Sequence, residues 1–295
     1  SAIAPMNAPI HPPEFHQVIT LGDGTCHYRF CGPERGPVLL MIHGATVPGW
    51  EFDRLAPLLH QAGMRTLIPD LYGHGFSARP RVRYDYDLFT RQMIELLQAL
   101  SIEQPVDVFG HSMGAAVGAC LASRHPQTID RLVLAAPLVN FTGIMTSARL
   151  LALPAIGEML MPIYIKPMLI RRRRQRYRNL EDGRWVEMFI RQVRIPGFGY
   201  MMLSLLRCGT LGDQRARYIE LNRQPHDLLV LRGDEDSIMP KYQLDQLREL
   251  LPRARFVEIA DAPHAFVITN PEELVPHIVD FLAQPSARGT PNSLS

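Results

Sequence analysis

Residues 106–124 read VDVFGHSMGAAVGACLASR, and this stretch decides how the rest of the chain is read. VDVF followed by Gly110 has the β-branched and aromatic content of a short strand that stops on a glycine. Residues 113–124 are small and apolar and predict a closely packing helix. Between the two, Gly110-His111-Ser112-Met113-Gly114 fits G-x-S-x-G. The five-residue pattern alone is common in glycine-containing loops. Between a strand and a helix it has a physical rationale. A sharp turn strains the serine backbone, the glycines remove side chains that would collide, and the hydroxyl stands exposed above the strand ends. The Met113 N–H then lies at a helix N-terminus, placed to donate to a developing oxyanion.

Working outward, strand and helix patterns alternate. Two strands are expected over 15–31 around the turn Gly22-Asp23-Gly24, a buried strand at VLLMI (38–42), a helix over 50–62 and a strand at TLIP (66–69). A helix over 86–100 follows, then the 106–124 unit and a strand at RLVLAAP (131–137). The rhythm breaks near 138 and resumes at DLLVLRG (227–233), RFVEIA (255–260) and a helix over 272–283. This order predicts an α/β chain with a mostly parallel sheet covered on both faces. The core is expected over 15–137 and 216–284, a helical insertion over 138–215, and irregular ends at 1–14 and 285–295.

With these landmarks in place, the chain resembles the α/β-hydrolase superfamily from about 15 to 284, in outline its serine esterases and monoacylglycerol lipases. The resemblance is carried by His43-Gly44 after VLLMI, by DLYGHGFS (70–77), by Gly233-Asp234-Glu235-Asp236 and by Ala262-Pro263-His264. It implies Ser112 as nucleophile, with the acid and the histidine following it in that order. His264, in a loop before the last helix, is the expected general base. Asp236 matches the family's acid, spaced from Gly233 to Pro240; Asp234, two residues earlier, is the rival and reads also as a turn residue. The resemblance puts the oxyanion donors at the Ala45 and Met113 amides, with Thr46 as the alternative to Ala45. The segment HGATVPGW (43–50) lacks the extra glycines of proline iminopeptidases and carbon–carbon bond hydrolases and argues against both. His43, Thr46, His111, Phe141, Met145 and Phe266 are the expected substrate-contacting residues. The implied reaction is hydrolysis of a carboxylic ester with an apolar part, needing no metal or organic cofactor. Thioesterases, lactonases, carbon–carbon bond hydrolases and slow-turnover ligand receptors share the scaffold.

The insertion is rich in Leu, Ile and Met, as a lid packing on the core is, or a wall for an apolar group. From Met159 to Leu180 there is no acid, while Lys166, Arg171, Arg172, Arg173, Arg174, Arg176 and Arg178 lie there. That run reads as a solvated helix face, or as a surface for anionic lipid headgroups or a carboxylated substrate. A net charge of +2 gives no global field pointing to nucleic acid. Cys26, Cys31, Cys120 and Cys208 form no zinc-like cluster and are expected as free thiols. With no stretch long enough to span a bilayer and no leader-like start, the expectation is a cytoplasmic protein. Oligomeric state is not legible.

Overall fold

The apolar runs at 38–42, 106–111 and 129–135 have almost no polar alternation, and strands of that kind need cover on both faces. The computed structural model, which describes residues 16–141, 150–178, 180 and 183–288, places them at the centre of an eight-stranded sheet. Its strands are β1 (Gln17–Leu21), β2 (Gly24–Cys31), β3 (Val38–Ile42), β4 (Arg65–Pro69), β5 (Val106–His111), β6 (Ile129–Ala135), β7 (Asp227–Gly233) and β8 (Arg255–Ile259). Their order across the sheet is β1-β2-β4-β3-β5-β6-β7-β8. β1 and β2 form an antiparallel hairpin, β2 pairs antiparallel with β4, and every later pairing is parallel. Alternate residues divide between two cores. Leu40, Ile42, Val108 and Leu132 face one helical layer, while Leu39, Met41, Phe109 and Val133 face the other.

The helices of the core are α1 (Leu55–Gln61), α2 (Tyr86–Ala99) and α3 (Met113–Arg124). Asp85 caps α2 by accepting from Leu88 N at 3.1 Å. The helical pattern over 50–62 resolves into a 3-10 turn, Gly49–Phe52, and then α1, with Pro57 in the first turn where a missing N–H costs nothing. The insertion holds α4 (Ile156–Leu160), a π-turn (Met161–Ile165), α5 (Lys166–Arg176), α6 (Arg184–Arg194) and α7 (Phe198–Arg207), followed by α8 (Arg215–Asn222). The chain leaves and rejoins the sheet side by side: Asn140 bridges Asp213, and Gln214 N donates to Val139 O at 2.7 Å. After β7, α9 (Lys241–Leu250) was not expected from the sequence; it buries Leu244 and Leu247 against the sheet. α10 (Phe266–Thr269) and α11 (Pro271–Ala283) close the core. The irregular residues 285–288 are held to β6: Ser286 Oγ donates to Asp130 Oδ1, and Arg288 bonds the Ile129 carbonyl. Residues 1–14 and 289–295 lie outside the described residues. Among the described residues, no helix is long and apolar enough to cross a membrane.

Candidate active site

Ser112 stands between β5 and α3 with φ 55° and ψ −115°, a conformation costing on the order of 1–3 kcal/mol for a residue with a side chain. Its N–H donates to Ala135 O and its C=O accepts from Leu138 N, so β6 and the segment beyond hold the strained turn. Both glycines are sterically required. A Cβ at Gly110 would meet Gly114 O at 2.5 Å, and one at Gly114 would meet Ile42 O at 2.0 Å. Met113 is the first residue of α3, so its N–H has no acceptor one helical turn earlier.

His264, in the loop after β8, brings Nε2 to 3.0 Å from Ser112 Oγ. Its Nδ1 lies 2.7 Å from Asp236 Oδ2, in the loop after β7. The carboxylate accepts at Nδ1, which leaves Nε2 free to accept from the serine hydroxyl. Asp236 Oδ1 also accepts from Ile238 N and Met239 N at 2.8 and 2.9 Å. Burial works against the Asp236 charge, but His264 and these two amides outweigh it and hold the pKa below the ordinary carboxylate value. For His264 burial dominates, aided by the charges of His111 and Arg176, and the pKa falls below 6.5 despite Asp236. The imidazole is therefore neutral near pH 7. Asp234 is exposed and accepts from Ala262 N at 3.2 Å, so of the two acids it is the one that braces a turn.

The loop after β3 is fixed from behind. His43, fully buried, donates from Nδ1 to Gly44 O and accepts Leu71 N at Nε2. A trans peptide points its C=O and N–H in opposite directions, so tying back Gly44 O turns the Ala45 N–H the other way. Ala45 O accepts from His74 Nε2 at 2.9 Å. His74 is wholly buried. Asp70 accepts from Gly49 N and Phe76 N and pins both loops together. Glu51 is the residue that sequence reasoning missed. One of its oxygens accepts Gly44 N at 3.0 Å; the other lies 2.9 Å from His111 Nδ1. The far nitrogen of His111 donates to the His264 carbonyl at 2.9 Å. A chain of contacts thus runs Gly44–Glu51–His111–His264 beneath the site. A lone acid between Trp50 and Phe52 carries no sequence signal of this role.

A cavity of about 180 Å³ opens over Ser112 and His264, between the strand ends and the α4–α5 side of the insertion. Ala45, Thr46 and Phe141 line it. His43, His111 and Phe266 do not; all three are buried. Met145 lies outside the described residues. The lining not foreseen includes Met202, Leu206, Leu211 and Ile238, and on α5 Arg172, Arg173 and Arg176. Of the basic run read as a possible lipid contact, Arg171, Arg172 and Arg174 are exposed and Arg173 is half-buried, and Arg172 and Arg173 border the cavity. Among the described residues, no cluster of three or more His, Cys, Asp or Glu side chains suits a metal ion.

Residues 37–271 match the family model described as "alpha/beta hydrolase fold". The chain is 28% identical over 301 residues to a 2-hydroxymuconate semialdehyde hydrolase of Pseudomonas sp. (strain CF600), covering 96% of this chain and 99% of that one. It is 26% identical over 239 residues to Lipase 3 of Moraxella sp. (strain TA144), covering 78% and 72% of the two chains. The enol-lactonase from Burkholderia xenovorans LB400 superposes with a TM-score of 0.72 at 22% identity, over 91% of this chain and all of that one, a likeness of fold alone. The first of these relatives carries the name of a carbon–carbon bond hydrolase.

Proposed function

This chain belongs to the alpha/beta hydrolase fold family, and from that premise we propose that it is a serine hydrolase cleaving carboxylic esters with an apolar acyl or alcohol part. The observation that carries the reading is the continuous hydrogen-bonded relay from Ser112 Oγ through His264 to an ionised Asp236. Ser112 Oγ attacks the ester carbonyl carbon while His264 Nε2 takes its proton. The oxyanion is held by the Ala45 and Met113 amides. On collapse the carbon–oxygen bond to the alcohol breaks, and His264 returns the proton to the leaving oxygen. Water, deprotonated by the same nitrogen, attacks the acyl-enzyme and releases the acid. The insertion acts as a cap whose Met- and Leu-rich underside takes the apolar part.

Turnover of 4-nitrophenyl esters of increasing acyl length, with wild type and Ser112→Ala side by side, tests this. The expected result is turnover by wild type and a loss of about 10⁴-fold or more in kcat for the variant. Hydrolysis by neither protein, both folded, would remove the ester reading. The full-length relative supports a second reading, carbon–carbon bond hydrolysis on the same serine. Cleavage of a vinylogous 1,5-diketone acid with no ester turnover would favour it.

A further inference from the structure

The floor of the insertion carries one stripe of side chains into the cavity: Ile165, Met168, Leu169, Arg172, Arg173 and Arg176. The spacing is that of a single helical face, and it changes character along its length. The first half is apolar and the second half is three guanidiniums. The basic half lies at the catalytic end. Arg173 Nη2 donates to Thr46 Oγ1 at 3.0 Å, next to Ala45, and the Arg176 charge acts on both Asp236 and His264.

Among the described residues, nothing on the cavity wall neutralises this charge. No lining residue is acidic, and among the described residues Arg172, Arg173 and Arg176 have no carboxylate within ion-pair distance. Arg173 is held by neutral acceptors, the hydroxyls of Thr46 and Tyr177, and lies over the rings of Tyr177 and Phe189. The carboxylate whose charge Arg176 feels, Asp236, is already taken up by His264 and two amides. Burial and the Arg173 charge both work against the Arg176 cation. Half-buried cations kept without a counterion beside a reacting centre are a site for an anion that arrives with the substrate.

We propose that Arg173 and Arg176 form a carboxylate-binding subsite, so that the substrate is an amphiphile with a carboxylate a few bonds from the scissile carbonyl and an apolar tail along Ile165, Met168 and Leu169. A planar guanidinium matches a carboxylate in two parallel hydrogen bonds, which sets register as well as affinity. The proposal rests on Ser112 as the nucleophile of an ester hydrolase.

Two esters of equal length test it: monobutyl succinate and butyl butyrate, which differ by a carboxylate in place of a methyl, with acid release followed by pH-stat. Wild type is expected to favour the hemiester in kcat/KM by about tenfold or more. That ratio should fall to about one in Arg176→Met and be largely kept in Arg176→Lys, the ratio cancelling any general loss of activity. Wild type turning over butyl butyrate as fast or faster would overturn the subsite and leave the esterase reading intact. If neither ester is hydrolysed, the esterase reading falls. Calorimetry of monobutyl succinate against wild type and Arg176→Met then decides the subsite: binding weakened by the substitution supports it, and no binding at millimolar concentration overturns it.

Discussion

Glu51 and His111 place opposite charges side by side in the interior, and each shifts the other. Burial opposes both charges, yet the Glu51 carboxyl is held below its ordinary 4.5 and the His111 imidazolium above its ordinary 6.5, because each stabilises the other's ionised form. The Glu51 contribution to stability is present above 4.5 and lost as pH falls through its lowered folded value. The His111 contribution is complete below 6.5 and lost as pH rises through its raised folded value. The pair therefore stabilises most between those two ordinary values. Glu51→Gln, which removes one partner and leaves the other buried, is expected to cost about 3–5 kcal/mol near pH 6. Urea unfolding from pH 6 to 9 should show the gap to wild type narrowing as His111 loses its charge in the native protein. A gap independent of pH would mean that packing, not charge, is what Glu51 supplies.

At the scale of elements, the β5–α3 unit depends on how closely backbones approach. Gly114 faces the carbonyl oxygens of Ile42, the last residue of β3, and of His43 just beyond it, backbone that cannot readily yield. Gly114→Ala is expected to lose about 3 kcal/mol or more, or to fail to fold. Gly118, one turn further along α3, faces only the tip of the Val108 side chain at 3.0 Å and of Leu132 at 3.8 Å. There a small repacking cost is offset by the helix preference for alanine, about 1 kcal/mol, so Gly118→Ala should lie within about 1 kcal/mol of wild type. Thermal unfolding of the two variants together checks this. Equal destabilisation would show that glycine is needed along α3 for reasons other than clearance. The helix at Lys241–Leu250 escaped sequence reading because its few apolar residues, among them Leu244 and Leu247, sit among charged ones; only contact with the sheet commits it.

For the whole molecule, the cavity exists only where the strand ends meet the insertion. Its size is set from above by α5, so Leu169→Trp should shorten the preferred acyl chain of an ester series by several carbons while acetate ester turnover changes little. An unchanged optimum would place the acyl chain elsewhere. The alternation of strands and helices and the turn at 110–114 were readable in the sequence, because each follows from local rules of period, breaker and turn that act over a few residues, while the choice of His264 came through the family resemblance. What remained open was settled by positions far apart in the chain. Asp236 rather than Asp234 reaches His264, and it does so across 28 residues. His43 and His111 were read as touching substrate because they adjoin motif residues; neighbours along a strand or a tight turn point to opposite sides, and these two are buried, as is Phe266 at the start of α10. Glu51 and the cavity-facing arginines acquired their places only from packing. Period and breaker signals fix which elements form, whereas burial, counter-charge and the line of a cavity depend on which distant elements are brought together, and for this protein only the tertiary structure decided those.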